Sequence, residues 1–133
     1  MNSMQLRLIS AALFFLFVFL SGFWLKRSGM PYSTVILTVH KLIALGAGVF
    51  LTVTVYRNIQ LAQLSAIELT AIAVSGLLFV GTIVTGGLVS IDKPMPAAVL
   101  RLHQITPFLT VLATAVMIYF LLYEAGSSVT VLR

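Results

Sequence analysis

Two imidazoles are the side chains of this sequence best suited to bind a metal away from water: His40 and His103, its only histidines. Each lies in a long apolar stretch shortly after a Met-Pro step, Met30-Pro31 before the first and Met95-Pro96 before the second. A neutral imidazole offers one nitrogen lone pair to a metal and one N–H to an acceptor. Two of them can fill both axial positions of an iron already held in a ring. The same groups can instead bond one membrane helix to another through Ser, Thr or carbonyl partners. The sequence has no cysteine, which removes thiolate metal sites, iron–sulfur clusters, disulfides and thiol redox chemistry. Its three acidic residues, Glu68, Asp92 and Glu124, all fall near segment ends. A membrane relay for protons or cations therefore lacks its usual carboxylates, which argues against a small transporter.

The elements that position the histidines follow from composition. Of 133 residues, 60% are hydrophobic and 8% charged. A soluble domain of this length cannot hide that much apolar surface, so lipid must serve as the solvent. Four apolar stretches are long enough to cross a bilayer, at about 8–25, 33–56, 69–91 and 97–123. They predict an all-α fold, an integral membrane four-helix up-down bundle forming a single transmembrane domain over 1–133. The first stretch is rich in Phe and Leu and ends at Phe23-Trp24-Leu25 before Lys26-Arg27. That ending reads as an interface belt, so the stretch is expected to be a retained helix and not a signal peptide. Ser21 and Gly22 near its end permit close helix approach. The net charge of +5 comes from eight Lys and Arg at segment ends, an anchoring and topology pattern and not the basic face that nucleic acid requires.

The two halves resemble each other. Gly22 through Pro31 aligns without a gap on Gly87 through Pro96; two residues are then lost and His40 falls on His103. In that register Val53 meets Val116 and Tyr56 meets Tyr119. The shared order of glycine, Met-Pro, histidine and tyrosine predicts two repeated helical hairpins, each bringing one histidine on its second helix.

Those second helices start on the same side of the membrane and are parallel. His40 lies nine residues past Pro31 and His103 seven past Pro96, roughly 13 and 10 Å along a helix. The imidazoles therefore sit at nearly one depth. The face of His40 carries Ile36, Leu37, Ile43, Ala44 and Ala47, small enough below the histidine for a flat group to lie against it. The face of His103 carries Thr106, Pro107 and Thr110. Pro107 removes the usual partner of the His103 carbonyl, which predicts a kink repaired by Thr hydroxyls. Pro31 is expected in the first turn of the second helix, with Ser33 or Thr34 as cap, and Glu68 in the first turn of the third. Ser75, Gly76, Gly81, Thr82, Thr85, Gly86 and Gly87 make the third helix one for tight packing. The tail Glu124–Arg133 is expected to fray. A haem between the paired histidines would take one imidazole nitrogen from each side, and its propionates would point to the nearer surface. Lys26, Arg27, Lys41, Lys93 and Arg101 cluster on that side, against Arg7, Arg57 and Arg133 on the other. Lys41 and Arg101 flank the histidines and are candidate propionate contacts, or else ordinary snorkelling side chains.

The arrangement resembles the b-type haem four-helix membrane bundles, and most nearly one half of a heme A synthase. The stretch Val84-Thr85-Gly86-Gly87-Leu88-Val89-Ser90 is similar to that family's Gly-Gly segment at a helix end, and His40-Lys41-Leu42 to its His-Arg-Leu step. The resemblance implies bis-histidine ligation of haem by His40 and His103. Four departures stand beside it: there is only one such half, there are no loop cysteines, the Gly-Gly stretch lies on the third segment, and Thr38 and Val39 precede His40 with no acidic residue. Haem-modifying catalysis is accordingly not carried over. Five cations against three would turn the Met-Pro side to the cytoplasm. With Lys41 and Arg101 set aside the count is three each, and the resemblance implies haem toward the outside.

The expectation is thus a membrane cytochrome holding one haem b between helices two and four. His40 and His103 are the metal ligands, and Ala44, Ala47, Thr106, Thr110, Lys41 and Arg101 surround the ring. Such a chain is an electron carrier or haem-bearing subunit more readily than an independent enzyme. Its expected place is the bacterial inner (cytoplasmic) membrane. A quinone, a redox partner protein or further copies of the chain are the partners this reading admits. The rival expectation is a non-redox accessory or assembly subunit whose histidines only bond helices together.

Overall fold

The computed structural model describes residues 3–59, 64–91 and 94–130. They form four helices: α1 (Ser3–Ser28), α2 (Thr34–Ile59), α3 (Ala66–Val89) and α4 (Ala97–Thr130). Each is long and apolar enough to span a membrane. The chain is an integral membrane protein by that measure, and all four helices exceed the roughly 20 residues a bilayer core requires.

The helices run three to seven residues beyond their predicted hydrophobic stretches at five ends; α4 starts where predicted, α2 starts one residue later, and α3 stops two residues short. The polar flanks continue the helix because its backbone bonds need no apolar side chains. α4 continues through Thr130, so the expected fraying from Glu124 is not seen over that range. Residues 131–133 lie outside the described residues, as do Asp92 and Lys93. α1 stops where Gly29 adopts a positive φ of 75°, a conformation glycine takes without strain. Pro31 is not in the first turn of α2. It lies three residues ahead of Thr34, and the Ser33 carbonyl accepts the first helical bond, from Leu37 N–H at 2.9 Å. α3 begins with a reciprocal cap. Ser65 N–H donates to Glu68 Oε2 at 2.8 Å and Glu68 N–H donates to Ser65 Oγ at 3.3 Å, which is how the buried Glu68 carboxylate is satisfied.

Packing separates the molecule into two hairpins. α1 lies along α2 and α3 along α4, whereas α1 meets α4, and α2 meets α3, only briefly. α2 and α4 therefore stand diagonally across the bundle. The buried stripe of α4 is Thr106, Thr110, Thr114, Met117 and Leu121, at the three- and four-residue spacing of a helix seam. Small hydroxyl residues fill the α3–α4 seam, where Ser75 bonds Thr114 at 2.9 Å and Thr82 bonds Thr110 at 3.0 Å. The large apolar side chains point outward instead; Phe23, Leu77 and Phe108 are all more than 60% exposed. That inversion is the packing expected when the surroundings are as apolar as the side chains.

The candidate site between the hairpins

His40 and His103 each stand six residues past the start of their helix, Thr34 and Ala97 respectively. Counted from the helix starts, they share a depth of roughly 9 Å. The expected kink at Pro107 does not interrupt α4. Thr110 Oγ1 donates to the Thr106 carbonyl at 2.8 Å, so its hydroxyl serves that carbonyl and not the one Pro107 leaves unpaired.

Both rings are held the same way by the preceding helix. His40 packs on Gly22 of α1, where a Cβ would stand 3.2 Å from the ring Cε1. His103 packs on Gly86 of α3, where a Cβ would stand only 2.7 Å from Cε1. The residue before each glycine carries a hydroxyl that meets the ring Nδ1: Ser21 Oγ to His40 at 2.9 Å, and Thr85 Oγ1 to His103 at 3.1 Å. These hydroxyls also reach carbonyls of their own helices. Ser21 contacts Phe17 O at 2.8 Å and Val18 O at 3.0 Å; Thr85 contacts Gly81 O at 2.8 Å and Thr82 O at 3.1 Å.

A hydroxyl has one proton, and a carbonyl can only accept. Donation to the carbonyl leaves the hydroxyl oxygen free to accept from an Nδ1–H. That assignment satisfies each hydroxyl and each Nδ1 and puts the lone pair of each imidazole on Nε2. Neither Nε2 has a protein hydrogen-bond partner among the described residues.

Both histidines line one cavity of about 770 Å³ between the hairpins. It falls inside the usual range for small-molecule and cofactor sites, roughly 300–1,000 Å³. Its wall is mainly apolar, with Phe15, Phe19, Phe79 and Phe108 contributing rings. Phe19 of α1 and Phe108 of α4 meet with centroids 5.0 Å apart. On the other flank Phe79 of α3 leans against Gly48 of α2. Lys26, Tyr32, Lys41 and Ser90 bring polar groups to the wall at the end nearer the Met-Pro connections.

Of the residues picked from sequence, His40, His103, Ala44, Lys41 and Thr110 line this cavity. Ala47 and Thr106 are buried but off its wall, and Arg101 is exposed away from it. Lys93 lies outside the described residues. Ser21, Gly22, Thr85 and Gly86 were legible only as residues for close packing, not as the partners of the histidines. Their signal was the repeated hydroxyl–glycine dipeptide itself. The gapless alignment hid it by setting Gly22 on Gly87, one position out of the spatial register, in which Gly22 corresponds to Gly86. Gly87 meets nothing, because it lies on another face of α3.

The described residues contain no group of three or more His, Cys, Asp or Glu able to hold a bare metal ion. Two imidazoles suffice only where another molecule supplies the remaining ligands. No protein-family model, curated protein or solved structure matches this chain.

Proposed function

We propose that this chain is a membrane-embedded b-type cytochrome that holds one haem between α2 and α4, with His40 and His103 as axial ligands through Nε2. The observation that carries the reading is the pair of imidazoles, each tied at Nδ1 to a neighbouring helix and each lining one apolar cavity with Nε2 unpartnered. A hydroxyl bonded to the far ring nitrogen orients a ligating histidine and raises its basicity. The cavity volume and aromatic wall suit a flat apolar ring, and Lys26 and Lys41 on the wall suit its carboxylates. A bound haem would supply one-electron redox chemistry, and occupation of both axial positions favours electron transfer over ligand binding. The residues of the chain would hold the ring, keep water from it and fix both imidazole tautomers. Electron transfer or haem handling follows, in a bacterial inner membrane, with a quinone or a redox protein as partner. The resemblance to one half of a heme A synthase points the same way.

The test is the visible spectrum of the protein purified after expression with haem supplied. A Soret band with low-spin α and β bands is expected, and both H40A and H103A should lose the low-spin form. Absence of a Soret band in the wild type would defeat the proposal, and so would an unchanged spectrum in both variants.

One observation favours a second reading, a non-redox accessory subunit. Each histidine already has a structural task, bonding the two helices of its own hairpin. In that case the protein would be fully folded and active in its assembly without haem.

A further inference from the structure

The two half-sites are built on one plan but not to one tightness. His103 rests on Gly86 with three ring atoms within 3.4 Å of where a Cβ would be, whereas His40 has one that close to the corresponding point on Gly22. The hydroxyl behind His103 belongs to a threonine, whose branched side chain has fewer rotamers than the serine behind His40. α3 and α4 are also stitched by two further hydroxyl bridges, Thr82–Thr110 and Ser75–Thr114. Between α1 and α2 Ser21 meets His40, and Phe14 meets Phe50 at 5.3 Å. α3 and α4 also pack more extensively against each other than α1 and α2 do.

From this inequality we infer that the two axial positions have different roles: His103 is the anchoring ligand, and His40 is the exchangeable one. The inference rests on the haem reading above and adds a direction to it. The α3–α4 hairpin presents a pre-set imidazole, so a haem docking on His103 loses little freedom beyond its own. The α1–α2 hairpin closes second. It is the side on which the iron can be uncovered, for loading, for release to another protein or for access by a small exogenous ligand. Contact between the hairpins is brief on both flanks, so α1–α2 can move against α3–α4 without breaking either seam.

The experiment compares H40A and H103A in the full chain, purified in detergent with haem supplied and then reduced under carbon monoxide. H40A should keep haem in a high-spin, five-coordinate form that binds carbon monoxide. H103A should retain haem about tenfold more weakly than H40A, which corresponds to about 1.4 kcal/mol. Equal retention by the two variants, or stronger retention by H103A, overturns the inference while leaving the haem reading intact. A wild type without a Soret band removes the haem reading instead. A second measurement involves neither variant nor haem: amide hydrogen exchange of the haem-free chain. Amides of α1 and α2 near His40 should exchange at least several-fold faster than those of α3 and α4 near His103. Equal protection, or the reverse order, overturns the inference.

Discussion

Substituting alanine at Gly86 tests how the histidines are held, whether or not haem is present. The added Cβ would stand 2.7 Å from His103 Cε1, 3.3 Å from Nε2 and 3.4 Å from Nδ1. Carbon atoms in contact prefer about 3.5–4.0 Å, so the ring must retreat by roughly 1 Å. The obstacle is a ring and not the loose end of a flexible chain. The 3.1 Å bond from Nδ1 to Thr85 then stretches past the length of a useful hydrogen bond. Overpacking of this kind costs about 1–3 kcal/mol. The lost bond adds about 0.5–1.5 kcal/mol. Against this, alanine improves on glycine in a helix interior by about 1 kcal/mol. G86A should therefore be destabilised by about 0.5–3.5 kcal/mol.

The matching change in the first hairpin sets the scale. At Gly22 the new Cβ would stand 3.2 Å from His40 Cε1, with Nδ1 at 3.6 Å and Nε2 at 3.9 Å. A shift of a few tenths of an ångström relieves it, and the helix-propensity gain of about 1 kcal/mol offsets the small strain. G22A should lie close to wild type. Unfolding in mixed micelles, followed by circular dichroism, measures both variants. If G86A is as stable as G22A, the close seating of His103 on α3 is not what holds that ring. Under the haem proposal the visible spectrum gives a second reading of the same geometry, since G86A should disturb it more than G22A.

Three further outcomes are expected. Thr114→Val leaves Ser75 Oγ buried without its 2.9 Å partner and should cost about 0.6 to 1.7 kcal/mol, whereas S75A/T114V removes both polar atoms and should recover most of that loss in a double-mutant cycle. Thr106 Oγ1 is buried with no hydrogen-bond partner among the described residues, so Thr106→Val should be neutral or stabilising by up to about 1 kcal/mol, and a clear loss of stability would reveal a partner for that hydroxyl. His103→Asn places an amide N–H near the position of Nδ1 and keeps the bond to Thr85 while removing the ligand nitrogen, so its haem-free stability should exceed that of H103A although neither variant forms low-spin haem; equal stabilities would show that the Thr85 bond contributes nothing.

The fold was legible because hydrophobic stretches and helical spans obey one length rule. What misled at the edges was local. Polar residues beyond the apolar run still continue a helix, which is why α1 reaches back to Ser3 and α4 extends to Thr130. The histidine pair was legible from depth, since spacings of nine and seven residues from the two Met-Pro steps translate into similar rise, and the helix starts make them equal at six. Their partners were not, because Ser21 and Thr85 sit about 19 residues earlier on another helix, and contact across a seam depends on the faces two helices turn to each other. A shift of one residue turns a helical position by about 100°. The sequence alignment that paired Gly22 with Gly87 therefore chose a residue on the wrong face. Among the surrounding residues the same ambiguity divided Ala44, on the cavity wall, from Ala47, buried in helix packing.

The structural and the redox reading of the histidines are usually posed as rivals, yet the ring has two nitrogens and they face different surroundings. Nδ1 meets a hydroxyl that is already engaged with its own helix, and that contact closes a hairpin. Repetition of one hairpin plan accounts for the equal depth under either reading, so what separates them is that both rings line the same cavity. The glycine beside each ring lets the imidazole approach the preceding helix, most closely at Gly86, where a Cβ would stand 2.7 Å from the ring. Both features constrain orientation, and orientation matters for Nε2 far more than for a clasp, because a metal bond tolerates less error in direction than a hydrogen bond between helices. Holding one ring nitrogen would fix the direction of the other before any metal arrived, which is why H40A and H103A, read by the visible spectrum, decide between the clasp alone and the proposed haem site.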